Sequence, residues 1–174
     1  MPLTAFAAGS IVSLLLGVYG VQHQPTFEPI TTFGFGSMLE MKVYLATAVG
    51  ALAVGQVVGA LWLYGKLGIK APSWLGTAHR ASGTLAILLS LPVAYHCLWS
   101  LGFQSGEATP TRVLVHSVAG CAVYGAVVVK VMAVRTRSAP GWLLPVAGGL
   151  LFATVVCVVW TSAVWYVGEN GWPN

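Results

Sequence analysis

Residues 79–116 read HRASGTLAILLSLPVAYHCLWSLGFQSGEATPTRVLVH, and the assignment of the whole chain works outward from them. Two apolar runs flank one wet interval, Gly102 to Thr111, and each run carries a histidine near that interval. If both runs are membrane helices, His96 lies five residues before Leu101 and His116 five residues after Thr111. A rise of 1.5 Å per residue then puts both roughly 7 Å below the same membrane surface. Two imidazoles at one depth on different helices are what a b-type haem requires of its axial ligands.

Composition supports the membrane reading. The 174 residues are 57% hydrophobic and only 7% charged, with a mean hydropathy of +0.82, whereas soluble domains carry about 25% charged residues. The expected fold class is an all-α integral membrane protein with five transmembrane helices, a four-helix core plus an N-terminal helix, forming a single membrane domain over residues 1–174. The net charge of +4 is too small and too scattered for a phosphate-binding stripe, so no nucleic acid partner is expected. Cys97, Cys121 and Cys157 fall inside apolar runs without CxxC spacing, which indicates packing rather than a disulfide framework or a zinc site.

Residues 3–22 form the first crossing; a secretory signal would open on a basic segment, which this run lacks. The interval His23 to Ser37 carries two prolines and two glycines among aromatics and reads as an interfacial loop. Residues 38–64 make the second crossing, with Glu40 and Lys42 at one end and Trp62 and Tyr64 at the other. Gly55 and Gly59 within it form a GxxxG pair, the usual sign of close helix packing. The third crossing, 76–101, has Thr77 as its N-cap and Pro92 four residues before His96, where a bend is expected. Residues 111–134 and 142–167 complete the set.

Charge predicts orientation. Lys66, Lys70, Arg80, Lys130, Arg135 and Arg137 gather on one side, while the other holds Lys42, Arg112 and all four glutamates. The positive-inside rule makes the basic side cytoplasmic, with the N-terminus inside and the C-terminus outside. His23, His96 and His116 then belong to the extracytoplasmic side and His79 to the cytoplasmic side.

An ionisable group inside a bilayer costs roughly 2.5–3.5 kcal/mol even on lenient scales, so each needs a partner or a task. The bland account of His96 and His116 is a pair of neutral rings bonded to one another, to a backbone carbonyl or to a hydroxyl such as Ser90, Ser100 or Ser117. The sharper account makes both ligands to the iron of one haem b, with Gly120, one turn beyond His116, leaving room for the ring. His79 and Gly83 repeat the H-x-x-x-G spacing as lesser candidates, but their depth-matched position on the fourth crossing, near Ala133, has no histidine. Met132 there reads as packing, His79 with Arg80 as an interface feature, and His23 as a solvated loop residue. One geometric demand follows. Consecutive crossings are neighbours in an up-down bundle, whereas a central ring is most easily gripped from opposite corners, so either the two helices splay with a flanking helix set between them or each histidine serves a different site.

The runs HRASGTLAILLSLPVAYHCLWSLGF and TRVLVHSVAGCAVYGAVVVK, with TSAVWYV near the end, resemble a family of uncharacterised actinobacterial membrane proteins. More distantly, residues 74–167 are similar to transmembrane b-type cytochromes of the ascorbate-reductase and ferric-reductase kind. That resemblance implies a bacterial cytoplasmic membrane, haem and redox chemistry. Those cytochromes hold two bis-histidine haems, and with only His79, His96 and His116 available here the resemblance supports one haem per chain. The expected role is a haem b-binding subunit relaying electrons near the extracytoplasmic face, partnered by membrane lipids, other membrane redox subunits or quinol, and an extracytoplasmic redox protein. The rivals are a structural subunit without a cofactor and a small transporter, the latter disfavoured by the absence of an internal repeat.

Overall fold

The computed structural model describes residues 2–104 and 106–173, and every regular element among them is helical. The helices are α1 (Pro2–Gln22), α2 (Met38–Leu63), α3 (Leu75–Tyr95), α4 (Thr111–Arg135), α5 (Leu143–Val159) and α6 (Trp165–Asn170). Two π-helical turns extend the third and fifth runs, His96–Ser100 after α3 and Trp160–Val164 joining α5 to α6. Five continuous runs are thereby long and apolar enough to cross a membrane: Pro2–Gln22, Met38–Leu63, Leu75–Ser100, Thr111–Arg135 and Leu143–Asn170. Large apolar side chains such as Leu15, Val54, Leu88 and Val118 point outward from them. Such a surface suits lipid and not water. The chain is a multi-pass membrane protein.

Local chemistry explains the helix ends. Ser37 accepts the Glu40 amide at 3.0 Å while Glu40 reaches back to the Gly36 amide at 2.7 Å, a capping-box exchange that starts α2 and commits the Glu40 carboxylate. The third run starts earlier than expected. Its first turn is set by Leu75 donating to the Pro72 carbonyl, so Thr77 lies inside the helix and accepts from Arg80 instead of capping it. At the other end Gly102 adopts φ +68°, which lets the chain leave the helix beside Pro25. Helix α3 runs through Pro92, and the irregularity appears after it as the π turn that begins at His96.

Around the bundle the order is α1, α4, α5, α2, α3. Helix α4 lies between α1 and α5, α2 between α5 and α3, and α1 closes the ring by reaching the π turn at His96–Ser100. The third and fourth spans, although joined by a short loop, are therefore separated by α1.

The tightest crossing is one the glycine motif did not indicate. A Cβ on Gly9 would stand 2.6 Å from the Gly125 carbonyl, and one on Gly125 would run into Ser13 and the Gly9 backbone. Gly9-xxx-Ser13 on α1 is thus the small-residue face that brings α1 against α4. Gly55 faces open space, and Gly59 faces the His79 ring. Gly9→Ala should accordingly overpack the α1–α4 crossing and cost about 1–3 kcal/mol, whereas Gly55→Ala should stay within about 0.5 kcal/mol of the parent. Unfolding of the two variants in detergent measures the difference.

Candidate functional site

In the half of the bundle nearer the α1–α2 and α3–α4 loops, α2, α3, α4 and α5 enclose a cavity of ≈350 Å³, within the range of about 300–1,000 Å³ for small-ligand and cofactor sites. Its walls are mainly apolar, from residues such as Val43, Ala46, Val93, Val155 and Val159. A few polar groups converge on it: Lys42 from α2, Ser90 and Cys97 from the third span, Arg112, His116 and Tyr124 from α4, and Thr161 from the second π turn. Both π turns border this cavity. Such turns re-aim side chains and release backbone carbonyls, which is why they recur at functional sites.

The Trp160–Val164 turn illustrates the release. The Trp165 amide donates to the carbonyls of Trp160 and Ser162 and bypasses Thr161. The Thr161 carbonyl is taken instead by Arg112 Nη1 at 2.5 Å, and the guanidinium lies over the Trp165 ring, 3.5 Å from its centroid. The Thr161 hydroxyl donates to the Cys157 carbonyl at 2.6 Å, so it serves as the acceptor for His116 Nδ1 at 3.1 Å. That fixes the tautomer. His116 carries its proton on Nδ1, and its ring lies within hydrogen-bonding reach of the Cys97 thiol.

His96 is also protonated on Nδ1, through a different bond. Its Nδ1 donates to the Pro92 carbonyl at 2.7 Å, while Nε2 is buried with no hydrogen-bond partner on a residue that is only 1% exposed. A bare, buried imidazole nitrogen is costly to leave unmatched. A second-atom bond that orients the ring and frees the other nitrogen is how proteins prepare histidine for a metal.

The two histidines do not stand in the same position relative to the cavity. His116 and Gly120 are on the wall, and a Cβ on Gly120 would meet nothing within 4 Å. His96 is not on the wall. The adjacent residue, Cys97, faces the cavity instead, with its thiol close to the side chains of His116 and Lys42. His96 and His116 are of the donor type that holds a haem iron and Gly120 leaves the α4 backbone uncovered, but on the cavity wall the third span presents Cys97 and not His96.

The remaining sequence candidates lie elsewhere. His79 and Gly83 belong to the α2–α3 contact in the opposite half, where Gln56 donates to the His79 carbonyl at 2.7 Å and to Ser82 at 2.8 Å, and where Gly83 makes room for Gln56. His79 Nδ1 is buried beside Gly59 without a partner. Met132 packs against the Ala5, Val129 and Ala147 cluster. His23 is not merely solvated. It stacks between Tyr19 and Trp99 and its Nε2 donates to the Trp99 carbonyl at 3.1 Å. Ser90 bonds Tyr124 rather than a histidine, at 3.0 Å between the hydroxyl oxygens.

A family model spans residues 2–174 of the chain. The chain belongs to the DUF6529 family, whose description is a family of unknown function. No curated protein and no solved structure matches it. For this DUF6529 member the site's chemistry therefore has to be argued from its own residues. Lys42, Cys97, Arg112, Thr161 and Tyr124 are polar members of the wall that sequence reading did not pick out as site residues. Lys42 alone carried a signal, as a cation one turn inside an apolar run.

Thr161→Val removes the acceptor for His116 Nδ1–H and leaves a buried donor unpaired, which should cost about 1–3 kcal/mol, with Thr161→Ser close to the parent. Nitrogen chemical shifts of ¹⁵N-histidine-labelled, cofactor-free protein should show His96 and His116 protonated on Nδ1, and only His116 should change in Thr161→Val.

Proposed function

We propose that this chain is a haem b-binding membrane subunit that relays electrons near the loop end of the bundle, with His116 and His96 as the axial ligands. What supports the reading above all is the common orientation of the two rings, each donating from Nδ1, with His116 on the cavity wall and His96 buried beside it with its Nε2 unpartnered. A haem held there by His96 and His116 would supply a one-electron carrier, which suits electron transfer rather than oxygen activation. The chain's own residues do the rest. Thr161 and the Pro92 carbonyl hold the imidazoles in one tautomer, Gly120 leaves the α4 backbone open to the cavity, and the apolar wall excludes water.

The finer placement belongs to the same proposal. The basic residues Lys66, Lys70, Lys130, Arg135 and Arg137 cluster at the end opposite the cavity, so the positive-inside rule puts the cavity toward the extracytoplasmic face of a bacterial cytoplasmic membrane. Electrons would pass between this site and a quinol, another membrane subunit or an extracytoplasmic redox protein.

A dithionite-reduced minus oxidised spectrum with pyridine haemochrome quantification tests it on protein purified from its native membrane. One b-type haem per chain is expected, lost in His116→Ala and in His96→Ala and kept in Cys97→Ala. Absence of haem would leave a structural subunit, and loss in Cys97→Ala with retention in His96→Ala would replace His96 by the thiol as second ligand.

A further inference from the structure

Two cations on the cavity wall have no carboxylate beside them among the described residues. Lys42 and Arg112 are the only basic residues of the loop end, and both line the cavity, Lys42 one turn into α2 and Arg112 at the second position of α4. The lining contains no aspartate or glutamate. Glu40, the acid nearest to Lys42 in sequence, has its carboxylate on the Gly36 amide in the cap of α2. Arg112 spends one N–H on the Thr161 carbonyl and one face on Trp165, which leaves further donors of its planar fork free. Two cations set into a mainly apolar, membrane-embedded wall are expensive unless an anion meets them.

We infer that the cavity binds an apolar body through a carboxylate at its loop end, with Lys42 and Arg112 as the anchoring pair. This rests on the haem reading for the identity of the body, since the two carboxylates of a haem then meet two cations and its apolar part meets Val43, Ala46 and Val159 further in. A fatty-acid type amphiphile offers the same chemistry from another source. Charge fixes the direction of entry in either case: the acidic edge stays at the loop end, and the apolar part extends toward the Ser90–Tyr124 pair, deeper in the bundle.

Esterification removes the charge and keeps the body, so the test compares haemin with haemin dimethyl ester, titrated into full-length, haem-depleted protein in detergent. The parent should bind haemin at least about tenfold more tightly than the ester, the minimum expected from one charge-assisted bond. Lys42→Gln with Arg112→Gln should bind the two alike, and Lys42→Arg should restore the preference. Lys42→Gln alone is the control for folding, because Lys42 holds no backbone group as Arg112 does, and it should lose part of the discrimination with an unchanged unfolding temperature. Equal binding of haemin and its ester by the parent would overturn the anchoring pair and leave the haem reading standing. If the parent binds neither, the haem reading fails, and cis-parinaric acid against its methyl ester decides the anchoring pair: preference for the acid, lost in the double variant, keeps it with a lipid source, and no preference overturns it.

Discussion

In the hydrocarbon layer there is no water to answer a polar group, and the structure of this chain is organised by that demand. Backbone groups are met first, by five helical spans. Hydroxyls are then folded back onto their own helices, as when Thr47 donates to the Val43 carbonyl at 2.8 Å and Ser162 to the Val158 carbonyl at 2.6 Å. Each departure from regular helix calls in a specific partner. The π turn at Trp160–Val164 strands the Thr161 carbonyl and Arg112 takes it; the end of the third span offers the carbonyls of Trp99 and Ser100, and His23 and the Phe27 amide take those. The loop between α1 and α2 is thereby pinned over the end of α3, and Ser100, fully buried, adds its own bond to the Glu28 carbonyl.

Where this satisfaction stops is where chemistry becomes possible. His96 and His116 each spend one nitrogen on an internal acceptor, His96 Nε2 stays unpartnered as His79 Nδ1 does in the opposite half, and Lys42 meets no carboxylate on the cavity wall. Polar groups are the exception in a membrane interior, and Lys42, Arg112, His116 and Thr161 share one cavity bordered by two π turns. A purely structural bundle would gain by replacing them with apolar side chains of similar size. Their convergence on one cavity is the physical reason for reading it as a binding site and not as a packing defect.

Cys97 is the point of tension in the site. The π turn begins at His96, so the facing of the residues around it depends on a local winding that a regular helix would not have. With Cys97 toward the cavity and His96 behind it, the two imidazoles are chemically matched but not face to face.

Much of the architecture was legible in the sequence. Apolar runs of membrane length, separated by the Pro, Gly and charge signals around residues 23–37, 65–74, 102–110 and 136–142, determine the number of crossings, because hydrocarbon thickness sets helix length directly. The shared depth of His96 and His116 follows from counting along helices, and Gly120 beside His116 follows from helical spacing. What only the tertiary structure decided is everything that depends on rotation and neighbourhood: that α1 separates α3 from α4, that Gly9 and Gly125 rather than Gly55 form the close crossing, that Thr161 and Pro92 set the two tautomers, and that Lys42, Arg112 and Cys97 share a wall with His116. In lipid both the outer and inner faces of a helix are apolar, so no amphipathic stripe records which side turns inward. Depth is written in the chain; facing is settled by the packing of small residues and by the π turns, and neither has a periodic signature to read.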